Sequence, residues 1–493
     1  MTYPPHGSAA PPVPGAPTLP AVPPQSPAPA TAPQGAPPPP RVEPLPERRS
    51  AWAEGRDRLR AAATTEPGRL RIIGAVLAAL VVAFGACTAW QMSDRSAAAD
   101  DVLHRSQPLS ADAADIYRSL ADANTAAASG FLAGGQEPAG VRKRYQDDIA
   151  MASRKLATAA ANSKGSDSSA AQIAKLNELL PTYAERVQTA RTYNRQGLPL
   201  GGAYLRNANE LMQQEMLPAA KKLYDAERER LDADYADARS YPWVAIGVGV
   251  LAIGVLVWAQ RRNYRRTNRV FNHGLLTATA GATVVLLWLV VGHSVAYGSL
   301  NESYDQGVKS LNALNSARIS TLQARSSENL TLVARGSVTV ADGPNAGKDA
   351  YDIDYQQRMK ELGDFTDRGA PGSLDDARVL ADDEAGSLPV TEAVTAVKEW
   401  KKRHKAARDA DTQGNYELAL DRVIGDDDPT GESFDKADEA LRKALAHEQR
   451  DFKSAAEDGR GAMTGLPVGA AVLALLGATG AVLGIGRRLS EYR

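Results

Sequence analysis

Cysteine is almost missing from this chain: Cys87 is the single one in 493 residues. No intramolecular disulfide can form, and no zinc site can rest on thiolates. Large exterior domains without disulfides suit a bacterial envelope better than a eukaryotic secretory route. Histidine is scarce too, with six. Neither His104 nor His404 has a second histidine one helical turn away, so each reads as a solvated helix-surface residue. No Walker-type loop, no G-x-G-x-x-G after a strand and no kinase signature is present. No catalytic, metal or cofactor-binding set stands out, which points away from an enzyme, and nothing points to a nucleic-acid partner. The ligand-binding residues stay unknown at this level.

What is present is four apolar segments, roughly Ile72–Gln91, Trp243–Gln260, Leu275–Tyr297 and Gly465–Gly486. Each approaches the ~20 apolar residues that cross a bilayer as a helix. The first pair encloses about 150 polar residues and the second pair about 165, as in an internal repeat. Their middles carry no charge, whereas pumps and ion-coupled transporters keep ionisable groups there. His293, near one end of the third segment, is a polar residue in a membrane helix, either functional or interfacial. Cys87 reads as a small apolar residue inside the first span. Small residues recur at four-residue steps, Gly465 with Gly469, Gly480 with Gly484 and Ala278 with Ala282, a spacing that lets helices approach closely.

Arginine sets the orientation. Arg48, Arg49, Arg56, Arg58, Arg60, Arg69 and Arg71 precede the first segment. Arg261, Arg262, Arg265, Arg266 and Arg269 fill the turn between the second and third, and Arg487, Arg488 and Arg493 end the chain. Short basic flanks stay cytoplasmic. Both termini are therefore expected in the cytoplasm of a bacterial cell and both long loops outside. Trp90, Trp243, Trp258 and Tyr297 stand near segment ends, where interfacial aromatics belong.

The resulting plan is a proline-rich tail over 1–46, a basic juxtamembrane segment over 47–71, spans over 72–91, 243–260, 275–297 and 465–486, exterior domains over 92–242 and 298–464, a basic turn over 261–274 and a cytoplasmic end over 487–493. The tail holds 18 of the 30 prolines and reads as a disordered spacer or docking strand. The basic segment suits an amphipathic helix on anionic headgroups.

Helical periodicity and scarce β-branched alternation make both exterior domains helix bundles. In the first, helices are expected over Ser93–Leu132, Val141–Ala161, Ser169–Gln196 and Ala203–Ser240, with Gly197–Gly202 as a break and Pro218 as a kink or a division of the last. In the second they are expected over Ser299–Arg335, Asp349–Gly363, Pro389–Gln413 and Phe434–Gly459, with Thr366–Ser387 as loop. Asp426-Asp427-Asp428 reads as a solvated turn and Lys401–Lys405 as a charged helix face. The stretches Ala121–Gly130 and Arg144–Ile149 share texture with Gln323–Leu330 and Asp354–Met359, about one repeat later. The fold class is an all-α membrane protein: four spans and two exterior four-helix-bundle-like domains in tandem, the first and last helix of each bundle continuous with a span.

Over residues 70–493 this architecture resembles the GlnX-like family of actinobacterial four-span membrane proteins. The exterior repeats also resemble the four-helix-bundle sensor modules of chemoreceptors. The resemblance rests on architecture, and no family binding residue is carried over. It implies a relay of amino-acid sensing: an exterior solute-binding lipoprotein, GlnH, reports through the membrane protein to a cytoplasmic Ser/Thr kinase, PknG. With so little cytoplasmic mass, any output must pass to a separate protein. A scaffold of the cell envelope and a transporter or channel subunit are the other classes. The chain is expected either to form a homodimer or to pack its two bundles as an internal pseudo-dimer.

Overall fold

The computed structural model describes residues 64–162, 167–267, 272–365, 371–381 and 383–490. The proline tail over 1–46 and residues 47–63 of the basic segment lie outside them. Among the described residues the chain is helical, and one isolated β-bridge joins Thr339 to Asp349. Four helices are long and apolar enough to cross a membrane.

Helix α1, Glu66–Asp101, runs through a π turn at Val102–Ser106 into α2, Gln107–Leu132. From Gly68 to Leu132 it is one rod of 65 residues, about 100 Å long at 1.5 Å per residue. Then come α3, Ala139–Asn162; α4, Asp167–Arg195; and α5, Leu200–Leu211. A π turn at Met212–Met216 leads into α6, Leu217–Arg239, and α7 is Trp243–Thr267. The second half follows. Helix α8, His273–Glu302, continues through a π turn at Ser303–Val308 into α9, Lys309–Ala334. Helices α10, Ala350–Leu362; α11, Ser373–Leu380; α12, Glu384–Thr412; α13, Tyr416–Ile424; α14, Thr430–Met463; and α15, Leu466–Ser490, complete it.

Capping marks several starts. The side chains of Asn272, Asp349, Asp383 and Asn415 accept hydrogen bonds from the exposed N–H groups at the beginnings of α8, α10, α12 and α13. Helix α9 stops at Arg335 and Gly336, both with positive φ.

The π turns have local causes. Pro108 and Pro218 each follow a π turn by two residues. Proline lacks the N–H that an α-turn needs, and its ring crowds the carbonyl four residues back. A wider turn relieves that crowding without ending the helix, so Pro218 does not divide the rod. The third turn contains Gly307, where a Cβ would meet the Phe452 ring at 3.0 Å.

The structure corrects the expected helices in several places. Gly201 and Gly202 lie inside α5, because the break after α4 is over by Leu200. The stretch Thr366–Ser387 contains all of α11 and the start of α12. The last polar helix is longer than Phe434–Gly459, starting at Thr430 and ending at Met463. The outgoing rods are continuous from apolar to polar part, whereas the returning ones are jointed. Helices α6 and α7 part at Ser240–Pro242, beside a proline. Helices α14 and α15 part at Thr464–Gly465, where Gly465 has φ +80°. Gly465 therefore serves a bend rather than a helix contact.

In the apolar part, α15 packs on α1 and α8, and α7 packs on the other side of the same two helices. The backbones approach closely: a Cβ on Gly274 would collide with the Gly480 carbonyl and with Gly484. The lateral faces expose Val250, Leu251, Val291, Leu475 and Leu483, as a lipid-facing surface requires. Cys87 is half-buried there and free.

In the polar part, α2, α3, α4 and α5–α6 surround one core, with Ile116, Leu120, Leu156, Leu176 and Tyr183 fully buried. Helices α9, α10, α12 and α14 surround a second, centred on Trp400, Leu322 and Leu441. The two cores merge along α2 and α9.

Candidate functional site

The seam between α2 and α9 begins in an oddity of sequence. Residues 121–128 of α2 and 321–330 of α9 are buried on every side, yet they are mostly Ala, Ser, Thr and Asn. A helix buried all round loses its amphipathic period. Here small residues let two backbones lie side by side, and the polar ones bond across.

Thr125 Oγ1 donates to the Leu322 carbonyl at 2.7 Å, Asn124 Nδ2 to Ser326 Oγ at 2.9 Å and Asn329 Nδ2 to Ser129 Oγ at 2.7 Å. Arg118 reaches the Asn315 side chain lower down. These partners lie between 197 and 202 positions apart. A nearly constant offset along two helices means that they run parallel and in register. The first half thus meets the second along α2 and α9, side by side.

Charge crosses the same seam. Arg144 on α3 binds Asp122 at 2.7 Å and Asp438 on α14 at 3.1 Å. Arg318 on α9 binds Asp438 at 2.6 Å and stands 3.9 Å from Asp122. Two cations and two anions from both halves make one network. Burial would raise Asp438, but Arg318 and Arg144 hold it below the ordinary carboxylate value. Burial, reinforced by the Asp438 charge, keeps Asp122 above that value against the pull of Arg144. Asp148 stands beside the network with a buried Oδ2 that finds no hydrogen-bond donor. Burial first, and the Asp122 charge second, push it up to about 8.

A cleft of about 570 Å³ opens on this network. Its lining includes Thr125, Ser129 and Arg144 from the first half and Arg325, Phe434 and Asp435 from the second. The Phe434 ring centre lies 5.5 Å from the Arg144 guanidinium carbon and 5.7 Å from that of Arg325. Glu432 and Asp426 add negative charge at the rim. The cleft thus offers cations, carboxylates and an aromatic face within one opening, which is equipment for binding.

The cleft reaches into the second core through Arg325, which pairs with buried Glu328. Glu328 also accepts from Trp400 Nε1 at 3.1 Å and Thr430 Oγ1 at 3.0 Å, and meets His404 Nδ1 at 2.8 Å. His404 Nε2 faces Asp352 at 3.4 Å, and the ring stacks on Tyr355 with centroids 3.6 Å apart. This corrects the solvated reading of His404, which is buried. Burial alone would lower its ring, but bonds to Asp352 and Glu328 hold it above its ordinary value. Burial would likewise raise Glu328, yet Arg325 and His404 keep it below its own.

The other singled-out residues are placed as follows. His104 is exposed, 3.3 Å from Asp100. Asp426, Asp427 and Asp428 form an exposed turn, with Asp428 on Arg403 at 2.7 Å. The Lys401–Lys405 face is split: Arg403 is engaged with Glu399, Asp428 and Glu432, Lys401 stands over Phe365, and His404 points inward. His293 is buried at the joint below the polar part, its ring edge-on to Tyr241 at 4.8 Å. At that joint Arg95 of α1 donates to the Ser240 and Tyr241 carbonyls at 2.6 and 3.2 Å, clasping the break between α6 and α7.

The polar part of the first half, with its seam helix, is a unit that other chains share. Residues 98–236 match the family model of the actinobacterial sensor domain. That range runs from the last residues of α1 to the end of α6 and includes all of α2. The match supports a sensor protein of actinobacterial type. No curated protein and no solved structure matches the chain. The seam is therefore the face on which a sensor domain meets the second half of its own chain. Arg144, Arg325, Glu328, Asp438 and Phe434 did not stand out in the sequence. The only signal they gave was the repeated texture of the segments that hold the first three or adjoin them.

Proposed function

We propose that this chain is a transmembrane signal relay of two tandem units, each running span, exterior bundle, span, with both arginine-flanked termini in the cytoplasm. The signal arrives outside, from a solute-binding lipoprotein of the kind that serves the GlnX-like proteins this chain resembles. It leaves through the spans to a separate cytoplasmic effector of the Ser/Thr kinase class. One observation carries the proposal: the two helices that form the seam, α2 and α9, are the same two that continue unbroken into spans. A partner that favours one seam arrangement shifts the packing of α1 and α8 by as much as its differential affinity allows. The jointed returning helices leave each half free to adjust at Ser240–Pro242 and Thr464–Gly465.

The full chain in nanodiscs is expected to capture an amino-acid-binding lipoprotein encoded beside it, and a Phe434→Ala variant to capture it more weakly. Capture by neither, with and without glutamate or aspartate, would remove the receiver from the proposal.

A further inference from the structure

Away from the seam, three side chains on the second half face one point. Asp383 precedes α12, and His447 and Asp451 lie one turn apart on α14. His447 Nε2 stands 3.0 Å from Asp383 Oδ1 and 2.9 Å from Asp451 Oδ2. The three donor atoms all lie within 4.8 Å of one another. A single N–H shared between two carboxylate oxygens satisfies each only in part. A metal ion satisfies all three. With zinc-to-ligand distances of about 2.0–2.2 Å, tetrahedral donors sit about 3.3 Å apart. The two His447–carboxylate distances need only a few tenths of an ångström of opening.

Asp383 is also held in place as the N-cap of α12. Gly386 donates its N–H to Asp383 Oδ1 at 2.6 Å, which fixes that carboxylate. A Cβ at Gly386 would meet His447 Cδ2 at 3.1 Å and Asp383 Oδ1 at 3.2 Å. A side chain there would have to push the ring or the carboxylate back by a few tenths of an ångström. Asp383 and Asp451 are each about half exposed, at 51% and 53%, and the ring only 15%. One coordination position is therefore left to water.

We propose that Asp383, His447 and Asp451 form a binding site for a divalent transition metal of the zinc class. The imidazole selects against calcium and magnesium, which take oxygen ligands. Bound metal clips the start of α12 to α14, the helix that leads to the last span. The proposal is independent of the relay reading.

The test uses the full chain in nanodiscs, purified through a tag without histidine, with Co²⁺ as the spectroscopic probe. The expected result is one equivalent of Co²⁺ with visible absorption bands of a low-coordinate N/O site, displaced by Zn²⁺ and untouched by excess Mg²⁺. His447→Ala and the surface change Asp451→Asn should each abolish the bands while keeping the helical circular dichroism. Absence of bands in the unmodified chain, bands that persist in both variants, or displacement by Mg²⁺ would each overturn the assignment.

Discussion

At the scale of single residues, Glu328 is the most exposed to test because it is the most enclosed. It holds Arg325, His404, Thr430 and Trp400 together inside the second core. Removing one partner of a buried ion pair leaves the other uncompensated, at a cost of about 3–5 kcal/mol. Glu328→Ala should therefore lower the melting temperature by many degrees, and Glu328→Gln by less, because the amide keeps an acceptor. The pH dependence follows from the shifts. His404 is raised above its ordinary 6.5, so its stabilisation is complete below that value and fades as pH climbs through the folded one. Glu328 is lowered from 4.5, so its stabilisation is present above that value and fades as pH falls through the folded one. Melts of His404→Gln should show a weaker decline above the ordinary histidine value of 6.5 than the unmodified chain.

Asp148 behaves the other way. With a folded value of about 8 against an ordinary 3.8, it releases its proton more readily when unfolded. Stability is lost as pH rises from 3.8 to about 8 and the loss is constant above. Asp148→Asn should raise the melting temperature at about pH 8 more than at about pH 4, the two ends of that window. An equal effect at both would mean that Asp148 is ionised in the folded protein.

At the scale of elements, the sequence was readable where burial is one-sided. Helices α3 and α4 have a single buried face, and their ends lie within about two residues of those expected. The spans were readable from length and apolar content. The seam was not, because helices buried all round by Ala, Ser, Thr and Asn carry neither hydrophobic period nor length of apolar run. Nor did the sequence distinguish continuous rods from jointed ones. Pro218 sits in an unbroken rod through a π turn, while Pro242 and Gly465 mark true breaks. In the rod it is the turn before Pro218 that widens, which packing rather than the local sequence decides. His404 was misjudged for a related reason: its two carboxylate partners, Glu328 and Asp352, lie far off in the chain.

Element contacts also give a direct prediction in the apolar part. Gly274→Val forces a side chain into the Gly480 carbonyl and Gly484. Overpacking of this kind costs about 1–3 kcal/mol or more. Heat-induced aggregation in detergent should begin at a lower temperature, whereas Gly247→Val, where a Cβ meets nothing within 4 Å, should leave it unchanged.

At the scale of the whole molecule, the seam joins α2 of the first half to α9 of the second. Asn124 and Ser326 are bonded at 2.9 Å across it. In a Cys87→Ala background, Asn124→Cys with Ser326→Cys should oxidise to a disulfide within one chain, seen on a gel as a monomer. Covalent dimers instead would place the seam between copies.

The relay itself is tested by distances inside the membrane. Spin labels introduced as unnatural amino acids at Val76 on α1 and Leu276 on α8, both exposed, report how the two outgoing spans pack in nanodiscs. Asp438→Ala removes the carboxylate that Arg144 and Arg318 share, leaves both to Asp122, and so loosens the seam. Adding the Asn124→Cys and Ser326→Cys pair to that variant, in its oxidised form, closes the seam again. A coupled seam predicts that the Val76–Leu276 distance distribution shifts or broadens in the Asp438→Ala variant and returns when the disulfide is formed. Superimposable distributions in all three states would contradict the relay.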